Sequence, residues 1–157
     1  MIFSRQYSRG FTLLELIIVL AVVALLSFTT APLGLQFYYS QNINGIRSTL
    51  GDTLARARSM SLVQQNDTSY GVALINVPAT TTAYVLYQGP TYATRVASAD
   101  LVTYLVSGVS LTFPGTVTEI NFGKHTGTPT ATGTISVSWN GLTRNLSIDN
   151  FGYLVEL

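Results

Sequence analysis

The chain has 157 residues, a hydrophobic share of 47% and a formal net charge of only +1. That length holds one modest domain beyond any membrane segment, and so small a charge argues against a nucleic-acid partner bound mainly through electrostatics. Cysteine is absent, which excludes thiol catalysis, cysteine-ligated metal sites and disulfides.

Arg5 and Arg9 stand just before Gly10-Phe11-Thr12-Leu13-Leu14-Glu15, which runs directly into the apolar stretch Leu16 to Leu26. From Phe11 to Ile46 the only charged side chain is Glu15. At about 1.5 Å per helical residue, Leu16 to Leu35 spans roughly 30 Å, the thickness of a bilayer's hydrocarbon core. Residues 11–35 are therefore expected to form a membrane helix, with both arginines on the cytoplasmic side and the bulk of the chain outside. A carboxylate near the end of such a helix is costly, by up to a few kcal/mol at the bilayer centre and less toward the interface. Something should neutralise it, and a positively charged amine would serve. An ion pair with Glu15 at about 4 Å would then be worth roughly 4 kcal/mol at an effective dielectric near 20. The amine could lie on the same helix or on a neighbouring copy. The competing readings are a favourable acid in the first helical turn, a secretory signal removed near Ala31, and an anchor that is never cut. The signal reading puts Glu15 in or beside its apolar core and Pro32 just after the cut, although a helical period resumes beyond Phe37.

The segment Gly10 to Glu15 resembles the processing site of type IV prepilins and type II secretion pseudopilins. The resemblance implies that residues 1–10 are a leader, that a prepilin peptidase cuts between Gly10 and Phe11, and that Phe11 becomes an N-methylated first residue. It also implies that Glu15 sets the register of helices packed in a filament. Many major type IV pilins close a C-terminal loop with a disulfide, so the lack of cysteine favours a minor pilin or a pseudopilin.

Pro32 and Gly34 interrupt the apolar run, and a bend is expected there before the helix continues. Over residues 36–65, Ile43, Ile46, Leu50, Leu54 and Ala57 recur at steps of three and four, within roughly 80° on a helical wheel. Gln41, Ser48, Asp52 and Ser59 occupy the polar face, and Asp52 and Arg56 are spaced for an i, i+4 pair. The stripe predicts a packing face that a sheet covers.

Beyond Gln65-Asn66-Asp67 the period changes to two. Strands are expected over Tyr70 to Ile75, Ala83 to Tyr87, Val102 to Val106, Val109 to Phe113, Thr118 to Phe122, Thr134 to Trp139, Leu142 to Ile148 and Tyr153 to Leu157. Asn140-Gly141 predicts a type I′ hairpin. Its register puts Ile135, Val137, Trp139, Leu142, Leu146 and Ile148 on one face, with Arg144 as the exception, expected to extend toward the edge near Trp139 or water. Pro78 to Thr82 and Gly123 to Gly133 read as loops.

Leu54-Ala55-Arg56-Ala57-Arg58 within Leu50 to Leu62 is similar to the helix-end pattern of the GspH and FimT group of minor pseudopilins and minor pilins. The strand pair from Gly133 to Ile148 and the turn Gly152-Tyr153-Leu154 are similar to that group's C-terminal end. The expected fold is α+β and pilin-like: a long N-terminal helix, membrane-spanning at first and then amphipathic, packed on an antiparallel β-domain over residues 66–157. The implied function is a structural subunit of a pseudopilus or pilus, with the prepilin peptidase, other pilins and the inner membrane as partners.

No cofactor, metal or catalytic residue is expected. Asp67, Asp100, Glu119 and Asp149 are isolated in the sequence, so a calcium site is unsupported. His125 is the sole histidine and has no serine, acid or cysteine at motif spacing. A DNA-uptake role would draw on Arg95, Lys124, His125 and Arg144, which form no run and read as solvated charges.

Overall fold

The structure, a computed structural model, describes residues 10–77 and 81–157, and for residues 28–34, 76, 77, 81, 82 and 116 it describes the backbone alone. Helix α1 (Leu13–Leu62) is followed by β1 (Tyr70–Val77), β2 (Thr81–Gln88), β3 (Leu101–Tyr104), β4 (Ser110–Thr112), β5 (Glu119–Phe122), β6 (Gly133–Trp139), β7 (Leu142–Ile148) and β8 (Leu154–Glu156). The fold is α+β, and the chain divides into two compact units between Tyr38 and Tyr39.

In the first unit, α1 is apolar on every side from Leu16 to Leu26. Phe11, Leu13, Leu14, Leu16, Ile17, Ile18, Val19, Leu20, Val22, Val23, Leu25 and Leu26 are all exposed. A helix with no polar face cannot rest in water, and its side chains need lipid or other protein around them. Among the described residues no helix is long and apolar enough to cross a membrane. The expected span to Leu35 and the bend at Pro32 involve side chains of residues 28–34, which lie outside the described ones, although the helix backbone is continuous through them.

In the second unit the helix becomes one-sided. Ile43, Leu50, Leu54 and Ala57 are fully buried, Ile46 is half-buried, and Gln41, Ser48, Asp52 and Ser59 face solvent. Two antiparallel sheets cover that stripe, one in the order β3-β2-β1-β5 and the other in the order β4-β6-β7-β8. One core joins the stripe to Tyr70, Val72, Tyr84, Leu86, Ile120 and Phe122 of the first sheet and to Leu111, Ile135, Val137, Trp139, Leu146 and Ile148 of the second. Burying Ile43, Leu50 and Leu54 contributes roughly 1.5–3 kcal/mol each.

Every expected strand is present among the described residues, to within two residues at either end. The Asn140-Gly141 turn has positive φ at both positions, and it sets Trp139 opposite Leu142, Val137 opposite Arg144 and Ile135 opposite Leu146. Three details differ from expectation. Thr81 and Thr82 belong to β2 rather than to a loop, pairing with Val77 and Asn76, because β-branched residues suit a continuing ladder; residues 78–80 lie outside the description. Arg144 turns to the helix, donating to Asn44 Oδ1 at 3.0 Å and Ser40 Oγ at 3.2 Å, while its third donor meets the Thr143 carbonyl oxygen of its own strand at 3.2 Å. Asp52 and Arg56 form no ion pair, for both are exposed and solvation competes with so weak a contact.

The first sheet is also covered on its reverse face, where Ala73, Val85 and Tyr87 are buried. Gly71 pairs with Tyr87 on one side and Asn121 on the other. A methyl group on Gly71 would lie 2.5 Å from the Tyr87 hydroxyl oxygen and 2.8 Å from the Ile120 carbonyl oxygen, so the missing side chain is what lets the tyrosine ring cross this strand. Gly71→Ala is expected to destabilise by about 1–3 kcal/mol through overpacking. Gly45→Ala, in the helix with open space around it, should be neutral or stabilising by up to about 1 kcal/mol. Thermal unfolding of the two variants checks the contrast, with a lowered melting temperature expected for Gly71→Ala and an unchanged or raised one for Gly45→Ala.

Candidate functional site

The residues of the N-terminal motif form the entry to α1. Thr12 is the last residue before the helix. Its Oγ1 accepts the Glu15 N–H at 3.2 Å and its carbonyl oxygen accepts the Leu16 N–H at 3.1 Å. Thr12 is thus an N-cap, and Thr12-Leu13-Leu14-Glu15 has the spacing of a capping box. The processing motif alone does not single out Thr12, but the Thr-x-x-Glu spacing does. Glu15 stands in the first turn, exposed, where the helix dipole favours an acid. Among the described residues no cation pairs with its carboxylate. Gly10 is free of steric demand, since a Cβ there would meet no atom within 4 Å. Nothing in the described fold requires glycine at that position.

Residues 5–31 match the family model described as the prokaryotic N-terminal methylation motif. The match supports a type IV pilin-like protein. It takes in Gly10, Phe11, Thr12, Glu15 and the exposed apolar turns that follow, and it ends before the β-domain. No curated protein and no solved structure matches the chain.

The four cations considered for DNA are dispersed and engaged. Arg95 donates to Asp100 Oδ2 at 2.7 Å and to the Tyr92 carbonyl oxygen at 2.8 Å, with its guanidinium 3.8 Å from the Tyr92 ring centroid. Lys124 pairs with Asp67 at 2.5 Å, and its hydrogen bond and charge hold the Asp67 carboxyl below the usual carboxylate range. His125 Nδ1 contacts the Gln64 side-chain amide, and its backbone N–H donates to the Ser61 carbonyl oxygen at 3.2 Å. These two lie at the end of α1, whereas Arg144 meets Ser40 and Asn44. Ser40 and Ser61 are separated by roughly 30 Å of helix rise. The geometry brings no cationic surface together from these residues.

The acids that stand apart in the sequence each have a structural partner. Besides the two ion pairs, Asp149 Oδ1 accepts the Phe151 and Tyr153 N–H groups, both at 2.8 Å, and closes the turn into β8. Glu119 Oε2 accepts from the Tyr87 hydroxyl at 2.8 Å and from the Tyr92 N–H at 2.7 Å. Among the described residues there is no group of three or more histidines and acids that could hold a metal ion.

The cap at Thr12 gives a local prediction. Thr12→Ala should cost about 0.5–2 kcal/mol of first-turn stability. Hydrogen exchange on the detergent-solubilised chain should then speed up at Leu13 to Leu16, while the amides of Leu50 and Leu54 keep their protection.

Proposed function

We propose that the chain is a minor pilin or pseudopilin subunit of the GspH and FimT type. A prepilin peptidase cuts it between Gly10 and Phe11, the new Phe11 amine is methylated, and residues 11–35 hold it in the inner membrane with the β-domain outside the cytoplasm. It then assembles with other pilins or pseudopilins into a type IV pilus or a type II secretion pseudopilus. The observation that carries the reading is the match over residues 5–31, in which Gly10, Phe11 and Glu15 keep the order of a processing site.

Physical chemistry supports the sequence of steps. Each exposed leucine or isoleucine of the first turns gains roughly 1.5–3 kcal/mol on leaving water, so these turns belong in lipid before assembly and among neighbouring helices afterwards. Helices that are apolar all round have little to fix their axial register. A single carboxylate can fix it when its counter-charge sits at one position, and in this reading that charge is the Phe11 amine of the adjacent subunit. The amine exists only after the cut, so assembly awaits processing. Glu15 suits the role because no cation of its own chain occupies it among the described residues. Gly10 suits the peptidase because its backbone is unshielded by a side chain and its neighbourhood is open.

N-terminal mass spectrometry of the protein recovered from cells tests the reading. The expected species begins at methylated Phe11. A chain retaining Met1, or one trimmed near Ala31, would overturn it in favour of an uncleaved anchor or a secretory signal. Gly10→Val should leave the leader attached.

Glu15→Gln should be processed normally yet be more than tenfold depleted in purified filaments relative to total processed protein. Equal incorporation of this variant and the parent chain would remove the register role.

A further inference from the structure

The reverse face of the first sheet carries a carboxylate, Glu119, both of whose hydrogen bonds fall on one oxygen. Across β2, β1 and β5, Tyr87, Gly71 and Asn121 stand opposite one another, and so do Val85, Ala73 and Glu119. Because Gly71 has no side chain, the Tyr87 ring crosses it. The Tyr87 hydroxyl donates to Glu119 Oε2 at 2.8 Å and accepts from Asn121 Nδ2 at 3.1 Å, while Asn121 Nδ2 also donates to the Gly89 carbonyl oxygen at 2.8 Å. The Tyr92 N–H adds a second donor to Glu119 Oε2 at 2.7 Å. This network fixes the half-buried carboxylate against one wall of a recess of about 430 Å³, lined by Pro90, Thr91, Val117, Thr118, Glu119, Asn121 and Thr130.

The recess therefore contains one negative charge, no basic residue and several hydroxyl or amide groups. Among the described residues no cation pairs with Glu119, and Oε1 has no hydrogen-bond donor. Arg95, on the neighbouring loop, is committed to Asp100 and to the Tyr92 carbonyl oxygen.

We propose that this recess receives a primary ammonium group, the lysine side chain of a partner protein, with Glu119 Oε1 as its counter-charge. A guanidinium fits less well, because its forked geometry seeks both carboxylate oxygens and Oε2 already accepts two donors. A divalent cation would seek several oxygen ligands of which more than one is charged, and the recess has a single carboxylate. An ammonium group needs one charged acceptor and neutral oxygens around it, which is what the lining provides. The inference rests on the second unit alone and is independent of how the N-terminus is processed.

The test uses the full chain in detergent micelles, titrated with n-butylammonium chloride, with neutral n-butanol and with N-acetyl-lysine methylamide at constant ionic strength. Amide resonances of Tyr92, Glu119 and Asn121 should shift saturably with both ammonium probes and not with butanol. Glu119→Gln, whose side-chain carbonyl can still accept from Tyr87 and Tyr92, should weaken ammonium binding at least tenfold. Absence of saturable shifts up to roughly 100 mM probe, equal binding of butanol, or affinity in a folded Glu119→Gln variant within twofold of the parent would each overturn the proposal. Should that variant fail to fold, the comparison of butylammonium with butanol on the parent chain decides. Binding of butylammonium without the lysine derivative would overturn the lysine assignment.

Discussion

The contact on which the β-domain depends is the sealing of Ile43, Leu50, Leu54 and Ala57 between two sheets. Each sheet is antiparallel and short, and neither could shield an apolar face from water alone. The first lends Val72, Tyr84, Leu86, Ile120 and Phe122, and the second lends Ile135, Val137, Leu146 and Ile148. Because both sheets need the same helical stripe, the stripe also determines how they meet each other. Polar contacts then fix the helix against the sheets rather than supply the bulk of the stability. Arg47 pairs with Glu156 at 2.6 Å, and Arg58 donates to the Phe151 carbonyl oxygen at 2.9 Å while lying over the Tyr153 ring. Tyr39 meets Trp139 edge-on at 5.0 Å between ring centroids.

The change from helix to sheet is concentrated in a few residues after Leu62. Gln64, Asn66 and Asp67 all have φ near +55°, a region that non-glycine residues enter at a cost, so contacts must hold them there. Those contacts come from both sides of the turn. The buried Ser61 hydroxyl accepts the Tyr70 N–H at 2.8 Å, Asn66 donates to Tyr70 and Gln88, and the Tyr70 hydroxyl returns a hydrogen bond to the Gln65 carbonyl oxygen. Lys124 and His125 close over the same turn from the loop after β5. Two residues that invited a functional reading as a cation and a lone histidine are thereby accounted for by the way the helix ends.

Much of this was legible in the residues, and the limit has a physical origin. The steps of three and four from Ile43 to Ala57, the period of two in each strand and the Asn140-Gly141 turn are local patterns, and local patterns survive into the fold. Arg144 marks where local reasoning stops: its register on β7 was correct, yet its partners, Ser40 and Asn44, lie a hundred residues away in sequence. The same holds for Glu119 and Asn121, whose partner Tyr87 is brought across Gly71 by strand pairing. The division of eight strands into two sheets was likewise invisible, because strand order depends on long-range pairing and not on composition. At the N-terminus the balance reverses. The match over residues 5–31 depends on order and spacing in the sequence, and the structure adds the Thr12 cap and the exposure of the apolar turns.

Two glycines show how structure and sequence divide the explanation between them. Gly71 is required by the fold, because a β-carbon would collide with the Tyr87 ring and with the backbone of β5. Gly10 has open space around it, so packing among the described residues does not ask for glycine. The proposed recognition by a peptidase gives such a residue a reason that packing does not. The same comparison separates the two acids of interest. Glu119 is held by two residues of its own domain, the Tyr87 hydroxyl and the Tyr92 N–H. Glu15 stands in the first turn of α1, and among the described residues no cation pairs with its carboxylate.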